Sequence, residues 1–122
     1  MRTVVIDASA LAAVVFGEDE GESVLERMAG ATLTAPHLLW SEMCNVCVVK
    51  SRRYPDQQDH LLVCLSDAAE MPISLHAVDH SEVAALALRT QLSAYDASYL
   101  WLARHLGVEL VTLDEKLGAV LR

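Results

Sequence analysis

Four carboxylates stand where a negative charge is hard to place unless it has work to do. Asp7 ends the apolar run Thr3-Val4-Val5-Ile6, and Asp114 follows Val111-Thr112-Leu113. Asp96 closes Ser93-Ala94-Tyr95-Asp96, and Glu42 lies within the apolar stretch Leu38-Leu39-Trp40-Ser41-Glu42-Met43-Cys44-Asn45-Val46-Cys47. Each has an ordinary explanation. Asp7 and Asp114 can cap a following helix, and Asp96 sits three residues after a Ser N-cap. Glu42 is the exception. Its helical neighbours at three and four residues are Leu38, Leu39, Asn45 and Val46, so no local ion pair is available. If the four acids meet, they cannot all stay ionised without cations, because like charges raise one another's pKa. An oxygen-rich, histidine-free cluster suits Mg²⁺ or Mn²⁺. Such ions activate water and stabilise charge on a phosphoryl group during hydrolysis.

The elements that would carry these acids alternate between strand and helix. β-branched runs at Thr3 to Ile6 and Val108 to Thr112 read as buried strands, with weaker ones at Thr32 to Ala35 and Ile73 to Val78. Helical patterns cover Ala8 to Phe16, Glu22 to Ala29, His37 to Arg53, Pro55 to Glu70, Asp79 to Gln91 and Ser93 to Gly107. A short last helix follows Asp114. The alternation predicts an α/β sandwich around a mostly parallel sheet of four to five strands. Ligands gather beyond the carboxyl ends of such strands, which puts Asp7 and Asp114 on one rim.

The chain has 122 residues, and 53% of them are apolar, which predicts one folded domain spanning residues 1–122. Nine Lys and Arg against 17 Asp and Glu leave a net charge of −8. That balance argues against holding nucleic acid by bulk electrostatics, but not against a nuclease that recruits metal to an acidic site. Part of the surplus, Glu18 to Glu22, reads as a solvated run at a helix start. Cys44, Cys47 and Cys64 are an odd number without a secretory signal, which predicts reduced thiols in a cytoplasm. Cys44 and Cys47 match C-x-x-C, but no second ligand pair accompanies them, and core packing is expected of both. No apolar run approaches the ~20 residues of a membrane span.

With these residues in place, the chain resembles a PIN domain, and within that group the VapC-type toxins of bacterial toxin–antitoxin pairs. The resemblance runs through Val5-Ile6-Asp7-Ala8-Ser9, Ser41-Glu42-Met43-Cys44-Asn45, Leu92-Ser93-Ala94-Tyr95-Asp96 and Leu110-Val111-Thr112-Leu113-Asp114. It implies a PIN-like three-layer sandwich and a metal-dependent endoribonuclease that hydrolyses phosphodiesters with a metal-activated water. Asp7, Glu42, Asp96 and Asp114 fall on the family's acidic quartet. Asp7 and Asp96 are implied as direct ligands of Mg²⁺ or Mn²⁺, and Glu42 and Asp114 as ligands either directly or through water. Ser9 and Thr112 match supporting hydroxyls, and Asn45 matches a polar position beside the helix acid. A cognate VapB-type antitoxin, an RNA substrate, homodimerisation and a bacterial or archaeal cytoplasm are implied in the same way.

Lys50, Arg52 and Arg53 form the one concentrated basic cluster. They serve either as a solvated C-terminal turn that complements a helix dipole or, for Arg52 and Arg53, as RNA phosphate contacts outside the acidic pocket. Tyr95 and Tyr99 read as packing residues rather than base-stacking ones, and Trp101 and Leu102 as core. The five histidines show no metal-ligand spacing and are assigned to no metal. Two other strand-end carboxylate folds fail: a receiver domain wants adjacent acids after the first strand, and a haloacid-dehalogenase-type phosphatase wants Asp-x-Asp where Asp7-Ala8-Ser9 stands. A PIN module that acts mainly by binding protein or RNA is the alternative.

Overall fold

The structure is a computed structural model that describes residues 2–122. Four strands form a wholly parallel sheet: β1 (Thr3–Ile6), β2 (Thr32–Pro36), β3 (Ile73–His76) and β4 (Glu109–Val111), in the order β3-β2-β1-β4. Val4, Val5 and Ile6 of the central β1 have no solvent exposure, as expected of a strand covered on both faces. The chain builds outward from β1 through β2 to β3, then returns to place β4 on the other side of β1. The strand order therefore reverses between β1 and β4, the point where open parallel sheets form a ligand crevice.

Seven helices flank the sheet: α1 (Ala8–Val15), α2 (Gly21–Met28), α3 (Leu39–Arg53), α4 (Gln58–Ala68), α5 (His80–Thr90), α6 (Ala94–Leu106) and α7 (Glu115–Leu121). The expected α/β sandwich is what forms. α6 packs on β1, β2 and β4 with α5 against it, while α1 packs on α2, α3 and α4. Gly21 lets α1 and α2 close on each other, since a Cβ there would stand 2.7 Å from the Ala13 carbonyl oxygen. Gly107 ends α6 in the left-handed conformation, with φ of 67°. Among the described residues, no helix is long and apolar enough to cross a membrane.

Several boundaries differ from the sequence expectation. α3 begins at Leu39 rather than His37, because the His37 N–H donates to the His76 carbonyl (3.3 Å) and prolongs the β2–β3 ladder. The Pro55 to Glu70 helix splits into a 3₁₀ turn at Pro55–Gln57 and α4. β3 stops at His76 so that Asp79 can cap α5 through the Glu82 N–H. β4 ends at Val111 because Thr112 turns its hydroxyl toward Asp7.

The packing corrects other expectations. α3 buries only Leu39, Met43, Cys47 and Ser51 along one line, so Cys44 is exposed and only Cys47 joins the core. Val48 and Val49 of α3 point outward, as do Leu62 and Val63 of α4. Leu102 is buried, but Trp101 is half-buried and stacks on His105 with ring centroids 4.6 Å apart. Glu18 is not merely solvated, since it pairs with Lys50 at 2.7 Å.

Candidate active site

β1 delivers Asp7 to the carboxyl edge of the sheet. Its N–H donates to the Val111 carbonyl (3.2 Å), so the residue extends the β1–β4 pairing by one step. There it caps α1: Oδ1 accepts the Ala10 N–H at 3.0 Å and the Ser9 hydroxyl at 2.7 Å. Oδ2 accepts the Thr112 hydroxyl. Ser9 and Thr112 in turn accept the Leu113 and Asp114 N–H groups, each at 3.0 Å. One hydroxyl pair thus fixes both oxygens of Asp7 and the backbone leading to Asp114. Asp114 caps α7 through the Leu117 N–H (2.9 Å).

Asp96 enters from the first turn of α6, where Ser93 caps the helix by accepting the Asp96 N–H at 3.1 Å. Glu42 enters from the first turn of α3. Its partner is neither a cation nor a neighbour on its own helix: the Tyr99 hydroxyl of α6 donates to Glu42 Oε1 at 2.6 Å. Tyr99 was read as a packing residue. It is buried as expected, yet its hydroxyl reaches the site. The available signal was its spacing from Asp96, three residues on, which puts both on one face of α6.

Asp7, Glu42, Asp96 and Asp114 all line one open cavity of about 510 Å³, together with Ser9, Ser41, Asn45 and Tyr95. Thr112 stands behind Asp7 rather than on the wall. Arg52 and Arg53 do not line it. They are exposed at the far end of α3, about 15 Å along the helix from Glu42.

Electrostatics set this cavity apart. The ion pairs among the described residues join Arg2 and Arg27 to Glu109 and Lys50 to Glu18, and none reaches the four acids. Burial raises the pKa of Asp7, against the opposing hydrogen bonds from Thr112, Ala10 and Ser9, and the Asp114 charge adds to the rise. Burial also raises Glu42, opposed by the Tyr99 hydrogen bond, with the charges of Asp96 and Asp7 adding to it. Asp96 is raised by burial and then by Asp114 and Asp7, opposed by the Ser93 hydrogen bond and the Lys116 charge. Tyr99 is raised by burial and by its bond to Glu42, so its hydroxyl stays protonated and donating.

An all-oxygen donor set short of positive charge fits a hard divalent cation. Among the described residues, no group of three or more His, Cys, Asp or Glu side chains is arranged to hold an ion by itself.

Comparison with known proteins gives the same picture. The PIN domain family matches residues 4–120. Ribonuclease VapC3 of Pyrobaculum aerophilum is 32% identical over 119 residues, spanning 93% of this chain and 91% of that protein. The crystal structure of PAE2754 from Pyrobaculum aerophilum superposes with a TM-score of 0.76 at 28% identity, over 97% of this chain and 84% of that one. The Mycobacterium tuberculosis toxin VapC20, described as cleaving the sarcin-ricin loop, shares the fold at a TM-score of 0.71 and 13% identity, over 97% and 95% of the two chains.

Proposed function

The chain belongs to the PIN domain family, and we propose that it is a VapC-type endoribonuclease toxin, one PIN domain over residues 1–122. A single observation carries the reading: four carboxylates from the end of β1, α3, α6 and the β4–α7 turn share one cavity, and among the described residues no ion pair reaches any of them. The names of relatives that align along nearly the whole chain support RNA as substrate.

The cofactor in this reading is Mg²⁺, with Mn²⁺ as a substitute. Asp7 and Asp96 would be its direct ligands, and Glu42 and Asp114 would join directly or through water. When bound, the cation supplies Lewis acidity toward water and the phosphodiester and offsets the charge that develops on the phosphate. The chain's own residues do the positioning. Ser9 and Thr112 lock the Asp7 carboxylate, so its orientation does not depend on what it binds. Tyr99 holds one oxygen of Glu42 and leaves the other free. Asn45 offers an uncharged amide on the same wall, suited to a water or a phosphate oxygen. Arg52 and Arg53 are exposed and make no ion pair among the described residues, which suits phosphate contacts outside the cavity.

The same reading gives the protein a VapB-type antitoxin in the cytoplasm, whose basic segment would enter the acidic cavity as a charge-complementary partner. It also gives a homodimer, supported by the outward-facing Val48, Val49, Leu62 and Val63 on adjoining α3 and α4.

Purified protein incubated with total cellular RNA tests the reading. Cleavage is expected with Mg²⁺ or Mn²⁺ and is expected to vanish in EDTA or in Asp7→Asn. Cleavage that survives both would remove the metal mechanism. Binding of RNA without cleavage under any condition would favour a PIN module that works by binding alone.

A further inference from the structure

The carboxyl ends of β2 and β3 open on a second cavity, of about 440 Å³. The register pairs Pro36 with His76, and the His37 N–H donates to the His76 carbonyl, so His37 and His76 both stand at this edge. His80 joins them from the first turn of α5. In a chain of net charge −8, three of the five histidines line this recess and no Asp or Glu does. The rest of its wall is mostly apolar, including Leu38, Val78 and Val83. Leu38 and Tyr95 line both this recess and the acidic cavity, so the two are neighbours across one wall. Tyr95, 65% exposed, stands at the shared edge.

We infer that this recess is a nucleobase subsite, which takes the unstacked base of a nucleotide beside the scissile phosphate and so helps to select the RNA that is cut. The inference rests on the nuclease reading of the acidic cavity. An RNA strand whose phosphate reaches the four carboxylates carries its adjacent bases one sugar away, within reach of a recess that shares a wall with them. An acid-free, apolar recess accepts an uncharged π-face, and imidazoles offer planar surfaces plus one donor and one acceptor each to base edges. The volume falls in the ~300–1,000 Å³ range of small-molecule sites. A basic protein segment finds no complementary charge here and is drawn instead to the carboxylates next door.

The test has a binding arm and a cleavage arm. In EDTA, the imidazole proton resonances are followed while single-stranded hexaribonucleotides of A, C, G or U are added, with an abasic strand of equal charge as control. His37, His76 and His80 should shift with at least one base-bearing hexamer and not with the abasic strand. Ala84 lies exposed on the recess wall, so Ala84→Phe fills the recess without touching the carboxylates. It should weaken binding of the preferred hexamer about tenfold or more and level the preference among bases. Ala77→Phe, at another lining position, should do the same if the first variant folds poorly. With Mg²⁺ or Mn²⁺, the filled variant should lose about tenfold on intact RNA yet match the original protein on RNA abasic at the subsite position.

Silent histidines with every hexamer, or unchanged affinity in both folded variants, would overturn the inference. Histidines that respond to hexa-arginine but to no hexamer would make the recess a protein-docking site and overturn it equally. Shifts that persist while no RNA is cut with either metal would sink the nuclease reading and leave the base subsite standing.

Discussion

The Tyr99 hydroxyl and the Glu42 carboxylate, 57 residues apart in the chain, meet at 2.6 Å and tie α6 to α3 across the acidic cavity. The bond favours the ionised form of Glu42, in opposition to burial. Tyr99→Phe keeps the buried ring and removes the donor. The pKa of Glu42 should then rise further, moving the acid limb of the cleavage profile to higher pH. Stability should fall by about 1 kcal/mol. A pH–rate profile of the variant separates this from a packing defect, which would lower the rate without moving the limb.

The raised carboxylates also set how stability of the metal-free protein depends on pH. A folded pKa above the unfolded one contributes stability that is fully present below the unfolded pKa and is lost as pH rises through the folded value. For Asp7 and Asp96 that loss begins above the ordinary value of 3.8, and for Glu42 above 4.5. In EDTA the Tm should therefore fall as pH rises above about 4. Asp7→Asn should flatten the curve and raise the Tm near neutrality while abolishing cleavage. Mg²⁺ should restore the original protein's Tm, by about 2.7 kcal/mol of stabilisation at 100 times its Kd. Thermal scans across pH with and without EDTA read all three.

Thr112 joins Asp7 to the Asp114 backbone through one hydroxyl. Thr112→Val preserves the shape but strands a buried carboxylate oxygen and an N–H, at a cost of about 1–3 kcal/mol. Loss of the fixed Asp7 orientation should reduce cleavage about tenfold to 100-fold. Thr112→Ser should recover most of both, measured by urea unfolding and by cleavage of a labelled RNA.

Val49 is 56% exposed on α3 and Leu62 50% exposed on α4. Val49→Glu or Leu62→Glu should convert a dimer to a monomer in sedimentation, with less than about 0.5 kcal/mol change in the stability of the subunit. A monomeric original protein would overturn the homodimer, and dimeric variants would place its contact elsewhere.

The residues that end strands or start helices were legible from sequence. The β-branched run before Asp7, the Ser93 cap before Asp96 and the acid after Thr112 each mark a local boundary, and local boundaries survive folding. What was hidden depends on distant register. Tyr99 finds Glu42 only once α6 lies beside α3, and His37 meets His76 only through the β2–β3 pairing. The α3 pattern misled for a different reason. Apolar content is the same for a residue buried in the core and one left for another surface, so Cys44 was expected in the core with Cys47, yet only Cys47 shares the buried line of Leu39, Met43 and Ser51.

The position of β4 has a consequence for timing. Asp7 is made more than a hundred residues before its partners: its N–H is held by Val111, its Oδ2 by Thr112, and the acid across from it is Asp114. Arg27 braces the same segment by donating to the Thr112 and Leu110 carbonyls, each at 3.5 Å. A nascent chain, which folds as it emerges, cannot complete this rim until its residues past Thr112 have left the ribosome. The site of an enzyme that cuts RNA is thereby incomplete until β4 and the turn after it have emerged.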